Sequence, residues 1–514
     1  MSRRSVNQLP SRLGVSTPGP VNFSGDTETP AQMIEDRAEI EHSTKVRSFV
    51  RDEWIRAQMS AKASEYTQVK NLNVFVGTWN VNGKKPSEPL RDWLCPDLKR
   101  RKSKSTLLDD LSIPDVYVLG FQEIVDLNRP SNVMSDSSSK ERSDMWVERI
   151  HATLNKLSLE HSRTPDHKFV FLVERHLVGI MLCVFVKQKH AKYIPPNKVQ
   201  TASVATGVMG IVGNKGAVSI RMQAYDSDIC FICGHLAAHR ENVDSRNSDY
   251  HNIMTKTSFK IKKDEWNQMS TEERLSASRM RYNLYNEDSS NATFGVKRHD
   301  FIIWLGDLNY RMSTLSSDEQ VFEHVFAKDL DWLILNDQLN IERRAGHVFK
   351  DFCEAPLTFA PTYKYQTGTS TYDRRPEKKV RAPAWCDRIL WQTVDHESTR
   401  YPQDLPSSRS PANVERSDRS GKMEIIEYNS RDSLQTSDHK PVVLDCIIQC
   451  KLVCAKKRHI SFMNVMSLLD KWENDAVPKL SLQPSSIEFA GGVKYKVPCS
   501  QTIRLSNSSR VPAT

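Results

Sequence analysis

Eight apolar runs, each about ten residues long, punctuate the chain: NLNVFVGTWNV, DVYVLGFQEI, VGIMLCVFVK, AVSIRMQAY, DICFICGHL, DFIIWLGDL, RILWQTV and VVLDCIIQCKLVC. Their content of Val, Ile, Phe, Tyr and Cys, and their short length, predict buried strands. Between them, apolar residues recur at helical spacing in SDMWVERIHATLNKLS, in VFEHVFAKDLDWLILNDQLN and after Asn247. Strands alternating with helices imply an α/β or α+β layered domain over residues 71–455. Polar stretches at 131–144 and 402–420 have the composition of surface loops. Outside the domain, residues 1–44 are rich in Ser, Pro, Thr and Gly and have the composition of a disordered tail. Val46, Phe49, Val50, Trp54, Ile55 and Met59 place a lead-in helix over 45–70. ISFMNVMSLLDKWENDAVP predicts a linker helix over 456–478, and residues 479–514 alternate as a few strands, an expected fragment of a β-sandwich.

Composition narrows the function. The 514 residues carry 72 Lys+Arg against 63 Asp+Glu, a formal charge of +9, which favours an anionic partner. No run of about 18 apolar residues is present and MSRRSVNQLPSRLG lacks an apolar signal core, so a cytoplasmic protein that meets membranes only peripherally is expected. Cys230 and Cys233 invite a zinc reading, but residues three apart on a strand face opposite ways, and buried thiols are expected instead.

The chemistry lies at the ends of the apolar runs. They stop at Asn80 and Asn82, at Gln122 and Glu123, at His235 and His239, and at Asp307, Asn309, Tyr310 and Arg311; Asp387 with Arg388 and Asp438 with His439 flank two more. Layered α/β folds gather such ends at one rim. Carboxylates and carboxamides without paired Cys or His make a hard oxygen site suited to Mg²⁺, with Glu123 and Asn82 as its seat. Asp307 is the candidate acceptor for the proton of an attacking water. Asp438 and His439 are neighbours in an extended segment and point apart, so Asp387 is the candidate to orient the His439 ring.

FIIWLGDLNYR together with RAPAWCDRIL resembles the paired hallmarks of the inositol polyphosphate 5-phosphatases, within the magnesium-dependent endonuclease/exonuclease/phosphatase superfamily; TWNVNG, FQE, GNKGAV, GHLAAH, FAPTYKY and SDHKPV follow the same family order. The resemblance implies a four-layer sandwich, two facing β-sheets flanked by helices, that removes the 5-phosphate of phosphoinositides such as phosphatidylinositol 4,5-bisphosphate or of soluble inositol phosphates. It implies that Asp307 and Asn309 handle the water, that His235 and Asn309 lie near the phosphate, and that Asp387 supports His439, with Asp438 beside it. It carries Tyr310, Arg311, Lys364, Lys379 and Arg381 over as contacts to the ring and its 4-phosphate. Asn80, Lys215, His239 and Arg388 join them as candidate substrate contacts on the same rim.

The tail is similar to that of the type II subgroup, the subgroup of the Lowe oculocerebrorenal syndrome protein, in which an immunoglobulin-like ASH domain follows the phosphatase. The expected fragment is short, which puts Rab GTPase binding in doubt. Two departures from the family pattern are a long stretch between Ser258 and Arg298 and Gln366 in place of an acid. A superfamily nuclease and an inactive phosphoinositide- or Rab-binding scaffold are the alternatives. The basic TYKY…KKVR cluster suits a polyphosphorylated ring over nucleic acid. Endosomal, Golgi or plasma membranes are the expected location.

VATGVMGIVGNKG sets Val208, Met209 and Ile211 among glycines and beside Lys215, a pattern expected to dip into an anionic membrane interface. Replacing Met209 and Ile211 by Asp is expected to slow phosphate release from phosphoinositide in vesicles and to leave the soluble headgroup reaction unchanged. Equal loss on both substrates rejects the idea.

Overall fold

The computed structural model describes residues 51, 54–55, 57–98, 101, 113–127, 136–161, 165–207, 214–260, 293–375, 377–393, 423–475, 480–489, 495, 497–498 and 500–507. The chain divides into two compact units. Thr67–Thr399 with Val414–Cys454 forms the larger; Met1–Tyr66, Arg400–Asn413 and Ala455–Thr514 form the smaller.

Among the described residues of the larger unit, eleven strands form two main sheets, and Ser258–Lys260 pairs with Thr293–Gly295 as a separate two-stranded ribbon. The eleven are β1 (Thr67–Asn80), β2 (Val116–Gln122), β3 (Phe169–Leu177), β4 (Ile180–Lys187), β5 (Gln200–Ala205), β6 (Gly216–Ala224), β7 (Ser227–His235), β8 (Phe301–Asp307), β9 (Asp387–Thr393), β10 (Met423–Ser430) and β11 (Val442–Val453). One sheet runs β10-β11-β1-β2-β4-β3 and the other β9-β8-β7-β6-β5.

Period-two alternation builds the layers. Val74 and Val76 of β1 join Val218, Ile220, Phe231, Ile303 and Leu305 of the other sheet in one inter-sheet core. Phe75 and Trp79, on the opposite face of β1, pack with Trp146, Ile150 and Leu154 of helix α1 (Asp136–His161). Beyond the second sheet, Ile232 and Trp304 pack with Tyr250 and Ile253 of α2 (Val243–Lys256). The result is helix, sheet, sheet, helix, the architecture expected from the sequence. The Cys230 and Cys233 side chains enter different cores, Cys233 between the sheets and Cys230 on the outer face, so they cannot share an ion.

Two sequence expectations change. The loop expected at 131–144 is helical from Asp136 onward. The helix expected over 321–340 is three short ones, α3 (Asp318–Phe326), α4 (Leu330–Asn336) and α5 (Gln338–Arg344). The signals for the breaks are local. Asp329 and Asp337 accept from Trp332 N and Asn340 N as N-caps, and Ser317 with Gln320 forms a capping box before α3. Asp337 closes α4 as it opens α5, whereas α3 closes at Ala327 before Asp329 opens α4.

In the smaller unit, part of the lead-in segment is helical, Tyr66 OH donates to Met59 O at 2.7 Å, and strand geometry begins at Thr67. Helix α6 (Ala455–Asp475) accepts the segment through Ser461 Oγ, 3.1 Å from Glu65 Oε2. Leu480–Gln483 and Arg504–Asn507 pair antiparallel as an exposed two-stranded ribbon. The tail at 1–44, the loop at 402–420 and the Val208, Met209 and Ile211 run lie outside the described residues.

Strand β8 lies between β7, parallel to it, and β9, antiparallel. Gly306 of β8 faces Gly234 of β7 at φ 140°, and a Cβ there would lie 2.0 Å from Gly234 O. Gly306→Ala is therefore expected to cost more than about 3 kcal/mol, read as a fall in the urea unfolding midpoint or as loss of soluble protein.

Candidate active site

Strand register brings the predicted residues together. Asp307, the last residue of β8, pairs with His235 on one side and Asp387 on the other. His235 in turn pairs with Gly216 of β6, which sets Lys215 next to it. In the other sheet Asn80 ends β1 opposite Gln122, the last residue of β2, and Glu123 follows. The sheets join at Asn80, whose Nδ2 donates to Asp307 Oδ2 at 2.9 Å and to Glu123 Oε1 at 3.2 Å.

Immediately after these strands the backbone turns sharply. Asn82, Glu123, His239 and Asn309 take positive φ of 46°, 54°, 76° and 56°. Non-glycine residues occupy that region at a cost of about 1–3 kcal/mol, and such conformations concentrate at functional sites.

Asp307 is buried, and both oxygens are held: Oδ2 by Asn80 and Oδ1 by the Asn309 backbone N–H at 3.0 Å. Burial raises its pKa, against the opposing pull of His439, Lys215 and Arg311. His439 Nδ1 lies 2.9 Å from Asp387 Oδ2, and Thr362 Oγ1 donates to that same oxygen at 2.7 Å. Burial lowers the His439 pKa, but Asp387, Asp307 and Asp438 outweigh it and raise the ring to about 10. The ring is thus an imidazolium at neutral pH, with Nδ1 committed to Asp387. The expected Asp387–His439 bond is present.

His235 is a different histidine. Burial, then the Lys215 charge, hold its pKa well below the ordinary value, so it is neutral. Its Nε2 accepts from Lys215 Nζ and lies 3.5 Å from Asp307 Oδ2 and 3.8 Å from Glu123 Oε1. Burial also lowers the Lys215 pKa, opposed by Asp307 and Glu123.

Three cations surround Tyr363. Arg311 stacks over its ring at 4.2 Å, Lys364 Nζ lies 5.6 Å from the ring centroid, and Arg381 donates to the phenol oxygen at 2.5 Å. The ring itself lies 4.5 Å from that of His439. Lys379 and His239 are exposed.

Several expectations need correction. Tyr310 is fully buried, its hydroxyl donates to Asn247 Oδ1 at 2.7 Å, and Arg246 lies over its ring; it is not a substrate contact. Arg388 is also fully buried and is held by Glu354 at 2.6 and 2.7 Å and by Asp337 at 2.9 Å, an internal ion cluster. For Arg388 the reason is alternation on β9, where it faces opposite to Asp387; for Tyr310 it is the turn at Asn309 (φ 56°), which carries the ring inward to Asn247. Asp438 likewise faces away from His439 and pairs with Lys364 at 3.1 Å. The Asn309 carboxamide is taken up by protein, donating to Leu236 O at 3.1 Å and accepting from Arg311.

Sequence reasoning missed three residues. Tyr363 centres the cation group; Thr362 braces Asp387; Ser437 Oγ donates to Asn80 O at 2.6 Å and accepts from His439 N at 3.2 Å. Their only sequence signal is membership of PTYKY and TSDHKP.

Glu123, whose side chain is 29% exposed, and Asn82 offer hard oxygens at this end of the sandwich, and this donor set fits a divalent cation such as Mg²⁺ or Ca²⁺. The ligand atoms of Asp307, Asp387 and His439 also lie within 4.8 Å of one another. A protonated His439 bound to Asp387 makes that trio an acid–base group.

A two-sheet sandwich with an acid, a braced imidazolium and a hard-oxygen corner at one end defines a phosphoesterase of the endonuclease/exonuclease/phosphatase class. Residues 77–445 match the model of Endonuclease/Exonuclease/phosphatase family 2, and the chain belongs to that family. It is 34% identical over 468 residues to the type II inositol 1,4,5-trisphosphate 5-phosphatase of Mus musculus, covering 91% of this chain and 39% of that protein. It is 33% identical to synaptojanin-1 of Homo sapiens, covering 79% of this chain and 23% of that protein. The chain thus spans well under half the length of either relative. The inositol polyphosphate 5-phosphatase domain of SPsynaptojanin, solved with inositol (1,4)-bisphosphate and calcium ion, superposes with a TM-score of 0.59 at 28% identity, covering 83% of this chain and 98% of that one.

Replacing Asp387 by Asn is expected to drop the His439 pKa from about 10 to near or below its ordinary 6.5, followed by NMR titration of the ring. Because the folded pKa is raised, the pair stabilises the fold fully below the unfolded pKa and loses that contribution as pH rises through about 10. Asp387→Asn should remove this pH dependence, and an unmoved His439 titration would refute the assignment.

Proposed function

We propose that the chain is a metal-dependent phosphomonoesterase that removes the 5-phosphate from inositol rings already bearing a neighbouring phosphate, with phosphoinositides such as phosphatidylinositol 4,5-bisphosphate, the 3,4,5-trisphosphate and soluble inositol trisphosphate as the substrate class. The observation that carries this is the single cross-sheet cluster in which Asn80 links Asp307 to Glu123, with His235 and Lys215 beside them. The names of the relatives and the ligand of the superposed domain point to the same ring chemistry.

The residues divide the work. Asp307, its two oxygens fixed by Asn80 and Asn309, takes the proton of the attacking water; burial makes the carboxylate a stronger acceptor than in water. His439, charged and held through Nδ1, leaves Nε2 as a donor to a phosphate oxygen. Neutral His235 accepts from Lys215 and so keeps that ammonium aimed beside Asp307 and Glu123. Glu123 and Asn82 would hold Mg²⁺, which when bound neutralises charge building on the phosphate. Arg311, Lys364 and Arg381 around Tyr363 supply the cations for a second phosphate.

An anionic lipid substrate would bring the protein to membranes as a cytoplasmic, peripheral enzyme, a reading that the formal charge of +9 supports. Among the described residues no helix is long and apolar enough to cross a bilayer. Rab binding would fall to the region around the exposed ribbon of 480–507.

Phosphate release from phosphatidylinositol 4,5-bisphosphate vesicles and from inositol 1,4,5-trisphosphate tests this reading. Activity should need added Mg²⁺ and vanish with chelator. Asp307→Asn should cut turnover by about 10²–10⁴-fold. Lys364→Ala should raise KM on substrates with a 4-phosphate more than on those without. Chelator-resistant release, or full activity in Asp307→Asn, would overturn it.

A further inference from the structure

A buried carboxamide sits behind the site, bonded to the backbone of Arg311 and to none of the side chains assigned to the substrate. Gln338, the first residue of α5, is 4% exposed. Its Oε1 accepts two hydrogen bonds, from Arg311 N at 2.8 Å and from Arg246 Nη2 at 2.8 Å. Its Nε2 donates to Arg240 O at 2.8 Å, and its backbone N donates to Arg311 O at 2.9 Å. One residue thus holds both backbone groups of Arg311 and the carbonyl of Arg240.

These partners belong to the two loops that carry the chemistry. The loop after β7 includes Leu236 and His239. Arg246 holds it from beneath by donating to Ala237 O at 3.1 Å and His239 O at 2.5 Å. The loop after β8 includes Asn309 and Arg311, and Arg240 grips its continuation at Met312 O (3.0 Å) and Ser316 O (2.6 Å). From Arg311 the chain of contacts runs inward. Its guanidinium bonds Asn309 and stacks on Tyr363, and the Asn309 N–H holds Asp307.

We infer that Gln338 is a positioning residue for phosphate-ester hydrolysis: its carboxamide locks the loop after β7 to the loop after β8 and so sets where Arg311 and Asn309 stand relative to Asp307. The chemistry calls for an amide at this point. Both acceptor directions of Oε1 meet donors and Nε2 meets a carbonyl, a set that an apolar side chain cannot offer and a carboxylate can offer only in part. A mispositioned group far from the reacting atoms can cost as much as 10²-fold in rate.

The inference rests on the hydrolytic reading above, and the experiment separates the two. Phosphate release from inositol 1,4,5-trisphosphate by the unaltered protein is measured first; a lack of it defeats the hydrolytic reading whatever Gln338 does. Gln338→Met, Gln338→Glu and the unaltered chain are then compared for kcat, KM and amide hydrogen exchange at residues 309–313 without substrate. Expected for Gln338→Met are faster exchange at Arg311, a fall in kcat/KM of about tenfold or more, and a rise in KM. A smaller folded fraction cannot raise KM. Gln338→Glu keeps the acceptor for Arg311 and Arg246, so it should recover most of the Arg311 protection and of KM. Should Gln338→Met fail to fold, Gln338→Asn, which withdraws the amide by one methylene, carries the same expectation. Loss of Arg311 protection with kcat/KM and KM within twofold of the unaltered protein would overturn the inference, as would loss of kcat alone in proportion to the folded fraction.

Discussion

The site depends on where one strand stops between its two neighbours. Asp307 closes β8 directly opposite His235 on β7 and Asp387 on β9, so the buried acid, the neutral histidine and the brace of the charged histidine share one register line. Ladder bonds continue one residue past the strands, with Leu236 N donating to Asp307 O and Leu308 N to Cys386 O, so the loops leave from a fixed frame. A slip of one residue would invert all of these side chains to the other face. Gly306 permits this register because only a residue without Cβ can lie against Gly234 O there.

Within that frame, burial and charge sort two histidines into opposite states. His235 meets a lysine and is neutral; His439 meets three carboxylates and is charged. The same desolvation acts on both rings, so the neighbours decide. Thr362 and Ser437 belong to this arrangement, because a carboxylate or backbone held by a second hydrogen bond keeps the imidazolium in one orientation. Asn80 plays the corresponding part between the sheets, its one amide group donating to both Glu123 and Asp307.

How much of this was legible depended on distance along the chain. The eight apolar runs correspond to described strands, and the layered core follows from alternation within each, as Val74 and Val76 against Phe75 illustrate. The polar residues ending those runs do gather at one rim. The Asp387–His439 pair was legible because alternation excluded Asp438 and left few orienting acids. The same rule applied to Arg388 assigns it to the interior, and the turn at Asn309 sends Tyr310 there too, although motif membership alone counts both among the substrate contacts. The break of 321–340 into three helices was written in the capping residues Asp329 and Asp337, a local signal that the apolar periodicity masked.

The sequence by itself determined eight of the eleven strands in the two main sheets, their faces, the hard-oxygen chemistry at their ends and the family, because each of these rests on local residue type and spacing. Tertiary structure alone decided which histidine is charged, that Asn80 joins the two halves of the site, that Tyr363 gathers three cations, and that Gln338 ties two loops together. Those properties arise from hydrogen bonds and electric fields between residues far apart in the chain, such as Asn80 and Asp307 or Gln338 and Arg246. No pattern along a single strand or helix encodes such separations, because they exist only once the sheets have paired and excluded water.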